Sequence, residues 1–220
     1  MTMPSLPQPV EHHEERTREL PFSLWQRLRA DPLRAPEYVA LAASERHAPA
    51  AAAWVDERRQ MYAHSPAELA QMAKRKHAAL ARFGGAATGI GGIVTLIPDL
   101  AAAAWIQSRM VFFIAAAYGY DPHDPMRPAE LLVIRDLYPD PQTARQALDG
   151  IGTSVVEAYA GSKLQREEAL AARLARFVGR RLTRRVAGRL IPFAAIAFNA
   201  IGNERETRAL ADKTIKFYGG

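Results

Sequence analysis

The chain contains no cysteine among its 220 residues. Disulfide bonds and thiolate metal sites are therefore excluded, and the composition suits a reducing cytoplasm. The first twenty residues also lack the basic start and the apolar run of a secretory signal. We therefore expect a cytoplasmic protein. We expect residues 1–21, which hold four prolines and many charges, to form a mobile tail before a single domain over residues 22–220.

Familiar catalytic motifs are also missing. The chain has no Gly-x-Ser-x-Gly elbow, no Gly-x4-Gly-Lys phosphate loop and no His-Glu-x-x-His helix. Gly89-Ile90-Gly91-Gly92 is too short for a dinucleotide-binding fingerprint. Asp121, His123 and Asp124 are spaced closely enough for a metal site, but their proline-rich setting predicts a turn instead. We therefore predict no catalytic residue, no cofactor and no metal ion.

Strand patterns are absent too, since no alternation of apolar and polar residues exceeds four positions and no internal repeat occurs. We predict an all-α fold, a helical bundle. Its clearest helix start is Ser65-Pro66-Ala67-Glu68, because serine and glutamate at this spacing form a capping box and proline fits the first helical position. Pro49 is expected to divide the alanine-rich residues 37–61.

Charged side chains are nearly missing from residues 83–120, where only Asp99 and Arg109 occur. The segment begins with a glycine-rich stretch and contains Pro98-Asp99, where we expect the chain to turn. A good helix should follow and end at Gly119, which is placed like a C-terminal cap. We therefore predict a Gly-rich apolar helical hairpin, residues 83–97 and 100–118, at the centre of the bundle.

The apolar hairpin has two possible environments. A simple membrane span needs about 20 apolar residues. Residues 83–97 are too few, and Arg109 in the middle of residues 100–118 costs roughly 2.5–3.5 kcal/mol in a bilayer. The hairpin is therefore either the core of a soluble bundle or a segment that dips into one leaflet. Gly85, Gly89 and Gly92 share a helix face that permits close packing in both cases.

The two charges of this segment do not pair within one helix. Asp99 and Arg109 are ten residues apart, which separates them by about 80° around the axis and about 15 Å along it. We expect Asp99 near the N-terminus of the second helix, where the helix dipole favours an anion. Each charge then needs a partner elsewhere, and both a buried ion pair and a charge facing a cavity remain open.

Positive charge is concentrated in one segment. The net charge is +6, and residues 163–189 alone carry nine basic and two acidic side chains. Four arginines share one face of a predicted amphipathic helix, with Phe177 on its flank: Arg173, Arg176, Arg180 and Arg184. Such a helix suits anionic lipid headgroups, with Phe177 near the acyl boundary. A merely solvated arginine face is the alternative, and nucleic acid is less favoured because no aromatic platform or base-reading side chain accompanies the arginines.

The order of several short motifs carries a resemblance. A glycine-rich apolar helix containing Gly89 precedes, in order, Pro98-Asp99, Arg109 and Tyr118-Gly119. Later come Ile191-Pro192, a small-residue run from Ala194 to Ala200, Asn203, Ala211 and Phe217-Tyr218. This order resembles the bacterial EcsC family over roughly residues 60–218. Residues 1–50 match less clearly, and the arginine run is richer than we expect for the family.

The resemblance implies a helical protein associated with the inner face of the bacterial membrane. The name-giving member is an accessory to an ABC exporter system linked to protein secretion. No catalytic activity is carried over, and no active-site residue is assigned. The positions that the resemblance singles out, without giving them a chemical role, are Gly89, Pro98, Asp99, Arg109, Tyr118, Gly119 and Asn203.

Our leading hypothesis is a non-enzymatic, membrane-peripheral accessory or scaffold protein. Its expected partners are an anionic membrane surface and a transporter subunit. The arginines would attract anionic lipid and an apolar helix would add buried area. One alternative is an enzyme acting on a lipid or other amphiphile, with Asp99 and Arg109 in a pocket. Another is a nucleic-acid-binding protein that uses the arginine-rich helix.

Overall fold

The computed structural model describes residues 20–86, 93–150, 172–174, 176, 177 and 192–220, and it describes side chains for residues 20–82, 100–150, 172–174, 176, 177 and 204–220. Every regular element in these ranges is helical, which confirms the predicted all-α class. A short 3-10 turn, Pro32–Arg34, joins the first two helices. The α-helices of the described ranges are α1 (Phe22–Ala30), α2 (Ala35–Met61), α3 (Pro66–Ala86), α4 (Ile93–Ala117), α5 (Arg127–Ile134), α6 (Pro141–Asp149) and α7 (Pro192–Gly219).

Helices α2 and α4 run side by side in the same direction. The ring of His47 lies 4.4 Å from that of Trp105, centroid to centroid. Two turns further along both helices, the rings of Trp54 and Phe113 are 5.3 Å apart. Because residue numbers increase in the same direction along both helices, the C-terminal ends of α2 and α4 lie at the same end of the bundle.

Helix α3 runs in the opposite direction to its neighbour α7. The ammonium of Lys74, near the middle of α3, bonds to Asp212 in the second half of α7. Arg82, later in α3, lies 4.0 Å from Glu204, earlier in α7. The C-terminal end of α7 is therefore level with the beginning of α3.

Helix α7 runs in the same direction as α4. The side-chain amide of Gln107 donates to the hydroxyl of Thr207 at 3.2 Å. The rings of Tyr120, just beyond α4, and Tyr218, near the end of α7, are 4.9 Å apart. Helices α2, α4 and α7 therefore all end on one side of the bundle.

Helix α4 lies at the centre of the packing, in contact with α2, α3 and α7. Within the described residues, its stretch Leu100–Ala117 is the one segment long and apolar enough to cross a membrane, and 83% of that stretch is buried in the bundle. Trp105, Phe112 and Phe113 are each 1% exposed. Burying a large apolar side chain contributes about 1.5–3 kcal/mol to the stability of the fold, so these side chains stabilise α4 as the core helix of the bundle.

The predicted turn at Pro98-Asp99 is wrong. Helix α4 begins at Ile93 and runs without a break through both residues, so Asp99 is not at a helix N-terminus. The expected break at Pro49 is wrong for the same reason, because α2 continues through it. A proline removes one hydrogen bond, but its φ angle fits a helix, and the packing of a long buried helix outweighs that local cost. A hairpin centred on Gly89 lies outside the described residues.

Two predicted helix ends are confirmed. Helix α3 starts with the capping box, since the Glu68 carboxylate accepts from the Ser65 backbone at 2.8 Å and the Ser65 hydroxyl accepts from the Glu68 backbone at 3.3 Å. Gly119 ends α4 with φ +90°. The Gly119 amide donates to Ala116 at 3.0 Å and the Tyr120 amide donates to Ala115 at 3.1 Å, which is the paired bonding of a Schellman cap.

Candidate functional site

Tyr118 and Tyr120, at the C-terminal end of α4, contact the end of α7 in one polar cluster. Gly219 lies against the ring of Tyr118, where an added Cβ would come within 3.0 Å of the ring. The Tyr218 hydroxyl donates to Glu130 of α5 at 2.6 Å. The Tyr118-Gly119 and Phe217-Tyr218 motifs, almost a hundred residues apart in sequence, therefore lie together. We call this contact between the ends of α4 and α7 the joint.

Arg127 completes this joint. Its guanidinium bonds to Glu130 and lies 3.2 Å from the carboxylate of Asp124. The same guanidinium lies 5.1 Å from the centroid of the Tyr120 ring and 5.7 Å from that of Tyr218. Burial, together with Glu130, raises the pKa of the Tyr218 hydroxyl far above its ordinary value, so it stays a hydrogen-bond donor. We infer a structural role for this cluster, because its charged groups are engaged with one another.

The end of the bundle beside this joint exposes apolar side chains. Arg59 of α2 donates to the Ala117 carbonyl at 3.3 Å and so ties together the C-terminal ends of α2 and α4. Six large apolar side chains are exposed in the described part of the chain, and four of them lie at this end. We call these four the aromatic end: Met61 (56% exposed), Tyr62 (57%), Tyr120 (42%) and Phe217 (41%).

A second cluster lies inside the bundle, around the middle of α4, with one residue each from α2, α3 and α4. His47 and His77 are both fully buried, and Arg109 is only 6% exposed. The His77 ring and the Arg109 guanidinium both lie 5.0 Å from the centroid of the Phe113 ring. We call His47, His77 and Arg109 the core basic cluster. Its three side chains come from three helices, and all can carry positive charge.

The imidazole of His47 is held in its neutral form. Burial, reinforced by the charges of Arg109, His77 and Arg46, lowers its pKa well below the ordinary value of 6.5. Among the residues that the structure describes, neither ring nitrogen of His47 finds a hydrogen-bond partner. The ring packs against Trp105, which satisfies neither nitrogen, so this buried polar group is destabilising in its present position.

Sequence reasoning treated the histidines as scattered and missed this cluster. A signal was available in the neighbours four residues away. Ala43 and Ala51 flank His47 in the same way that Ala73 and Ala81 flank His77. A residue flanked at this spacing by alanines lies on a helix face that can pack closely, so the burial of both histidines was predictable, while their position near Arg109 was not.

A third buried group joins α4, α5 and the arginine segment. Arg135 donates to the Gln107 side chain and to the Phe177 carbonyl, both at 2.7 Å. Its guanidinium lies 4.4 Å from the centroid of the Phe177 ring. Burial, partly offset by Glu206, lowers the pKa of Arg135 to about 9. The prediction that Phe177 lies at a lipid surface is contradicted here, since Phe177 is 1% exposed and packs under Arg135.

The remaining predicted positions are dispersed. Arg176 is exposed and Arg173 half-buried, whereas Gly89, Arg180 and Arg184 lie outside the described residues. Pro98, Asp99 and Asn203 are helical, with side chains outside the description. Arg109, Tyr118 and Gly119 therefore lie on α4 and its C-terminal cap. Arg109 is in the core basic cluster, whereas Tyr118 and Gly119 are at the contact with α7.

The predicted turn at Asp121–Asp124 is confirmed. The Asp121 carboxylate accepts from the His123 amide at 2.9 Å, and the Asp124 carboxylate accepts from the Met126 amide at 2.8 Å. These are side-chain-to-backbone bonds of the kind that aspartate makes in turns. In the part of the chain that the structure describes, no three His, Asp or Glu side chains are grouped as a metal site would require.

Comparison with known proteins concerns most of the chain rather than one cluster of side chains. No curated protein and no solved structure matches the chain. A family model described as the EcsC protein family matches residues 39–219, which include the joint, the core basic cluster and the aromatic end. Since this match spans most of the sequence, the chain belongs to the EcsC protein family.

Proposed function

We propose that this protein is a non-enzymatic accessory protein that binds reversibly to the inner face of the cell membrane, where it serves a membrane transporter. The observation that carries the proposal is the aromatic end. Four exposed apolar side chains gather where α2, α4 and α7 finish, while the rest of the described surface exposes only two more of this size. An end face of this kind fits a surface that is part apolar and part polar.

The chemistry of the aromatic end favours a lipid interface. Tyrosine places its ring in the apolar layer and its hydroxyl among the headgroups, and tyrosine is enriched at that depth. Tyr62, Tyr120 and Phe217 supply three rings, and the exposed cations Arg59 and Lys216 accompany them. Burying the exposed halves of four such side chains gives about 3–6 kcal/mol, which is enough for one weak, reversible anchor.

The arginine segment is a second surface proposed for contact with anionic lipid. Arg173 acts electrostatically on Tyr138, whose hydroxyl donates to Glu37 at 2.5 Å. Because Glu37 is in the first turn of α2, Arg173 lies far from the aromatic end. The two surfaces are therefore separable by mutation, and the binding assay decides which of them contacts lipid.

The test is flotation with vesicles of phosphatidylcholine and phosphatidylglycerol. Met61, Tyr62 and Phe217 would be changed together to serine, and all three are exposed, so the fold should be unaffected. We expect at least tenfold weaker vesicle binding. Phe22→Ser is the matched control, because Phe22 is 74% exposed at the beginning of α1. Helix α1 lies against the first half of α2, away from the aromatic end, so this variant should bind like the wild type.

The outcomes separate the alternatives. Unchanged binding by the folded triple variant contradicts the role of the aromatic end. Loss of binding only when Arg173, Arg176, Arg180 and Arg184 are changed to glutamate assigns the contact to the arginine segment instead. The enzyme alternative requires Arg109 to face a pocket, and its 6% exposure against Phe113 offers that reading no support.

A further inference from the structure

We propose that His47 is an acid-sensitive latch: its protonation opens the contact of α2 with α4 and makes α4 available to a lipid surface. The inference rests on the proposed membrane role, for which it supplies a means of regulation. It starts from the position of His47, which is on α2, packs on Trp105 of α4 and lies close enough to His77 of α3 to feel its charge. Separating α2 from α4 is the direct way to hydrate this ring.

A protonated His47 is incompatible with the closed bundle. Its ring is 0% exposed, and no described residue offers either nitrogen a hydrogen bond that could stabilise an imidazolium. A buried charge without such bonds is strongly disfavoured. The closed state therefore admits the neutral ring and excludes the charged one.

The surrounding charges act in the same direction. Arg109 of α4 and His77 of α3 both oppose protonation, and so does Arg46 on the same helix as His47. Helices α1, α5 and α6 also pack on α2. Among the residues that the structure describes, these three helices contribute no charged group that acts on His47. Every described charge that acts on the ring therefore favours opening in acid.

The size of the effect follows from proton linkage. In an open state, where the ring is hydrated, its pKa is near 6.5. When pH falls from 7.5 to 5.0, preferential protonation of the open state raises the opening equilibrium constant by about 30-fold for one histidine. Above pH 6.5 the ring is mostly unprotonated in both states, so proton binding no longer favours the open state.

Opening would release an element suited to lipid. The stretch Leu100–Ala117 is 18 residues of mean hydropathy 1.5, almost all of it sequestered in the closed bundle. Arg109 in its middle disfavours a full span, so the released helix should lie in the interface with its guanidinium towards the headgroups. Acid opening would thus add a second apolar anchor to the aromatic end.

Hydrogen exchange of the full-length protein tests the latch without lipid. The α4 amides would be measured at pH 7.5 and pH 5.0, corrected for the intrinsic pH dependence of exchange. We expect the opening constant of α4 to rise by about 30-fold in the wild type and by less than threefold in His47→Leu. His47→Gln, which is polar but does not titrate, should behave like His47→Leu, so the test does not depend on one variant.

His123→Ala is the matched control, since His123 is exposed in the loop after α4 and should leave the acid response intact. An equal acid response in both His47 variants overturns the latch, as does a wild-type α4 that exchanges identically at both pH values. Flotation on the same vesicles then separates the two proposals. Acid opening without increased flotation overturns the lipid step, while flotation at pH 7.5 with no opening in acid overturns the latch and leaves the proposed function standing.

Discussion

Replacing His47 with leucine should stabilise the protein at neutral pH. Both ring nitrogens are buried and have no hydrogen bond to any part of the chain that the structure describes, and each such group costs about 1–3 kcal/mol. Leucine has a similar volume and no polar atom, so it removes that cost without leaving a large cavity. The variant loses the ring contact with Trp105, which is worth about 0.5–1.5 kcal/mol. The expected net gain in the free energy of unfolding is about 0.5–5.5 kcal/mol.

The difference in the free energy of unfolding between His47→Leu and the wild type should increase in acid. The pKa of His47 is lower in the folded chain than the ordinary 6.5 expected when it is unfolded. The wild type is therefore unaffected by this group above pH 6.5. Below pH 6.5 it loses stability, because the unfolded chain binds a proton that the folded chain excludes. The loss approaches about 1.4 kcal/mol per pH unit, so the gap between the two proteins should grow by about 2 kcal/mol between pH 7.5 and pH 5.0.

Urea denaturation of both proteins at the two pH values measures these quantities directly. All other titrating residues are common to the two proteins, so the change in the gap isolates His47. A variant that is less stable than the wild type at pH 7.5 would refute the claim that the ring is an unsatisfied buried group. A gap that is the same at both pH values would refute the claim that its pKa is depressed in the folded chain.

Two further substitutions test the joint at the end of α4. Tyr218→Phe removes the donor to the half-buried Glu130 carboxylate and should cost about 1.5–3 kcal/mol of stability in the same urea assay, whereas a neutral result would mean that the 2.6 Å bond contributes nothing. Gly119→Ala places a side chain at φ +90° and should cost about 1–2 kcal/mol, seen as a lower Tm, although nothing lies within 4 Å of the added Cβ. An unchanged Tm would show that the cap is not strained by a side chain.

Local signals predicted local structure well. The Ser65–Glu68 box and the Gly119 cap depend on atoms a few residues apart, and the sequence contains all of them. Proline misled the same kind of reasoning at Pro49 and Pro98, because the stability of a long buried helix comes from partners that are distant in the sequence.

The candidate sites depend on helix directions, which local patterns do not contain. Met61 and Phe217 share one end of the bundle only because α2 and α7 both run parallel to α4. His47 and His77 both lie near Arg109 only because α2 and α3 pack on α4, where they contact Trp105 and Phe113, two turns apart. The periodicity of each helix indicated which face was apolar, but it could not indicate which helix would cover it.

The burial of Phe177 illustrates the same limit. The arginines of its segment predicted an exposed amphipathic face with this ring at its edge. The structure turns the ring inward instead, where it covers the guanidinium of Arg135 and leaves Arg176 exposed. Arg135 lies 42 residues earlier in the sequence, and nothing in the local pattern links the two.

The most direct test of the account is the fractionation of bacterial cells that express the full chain. Membranes would be washed in turn with low salt, high salt, alkaline carbonate and detergent, and the protein would be followed by immunoblotting. Binding through the aromatic end predicts that the wild type sediments with membranes, resists high salt in part and is released by carbonate, while the Met61, Tyr62 and Phe217 triple serine variant remains in the soluble fraction. A wild-type protein that is fully soluble at every ionic strength would contradict the proposed membrane role.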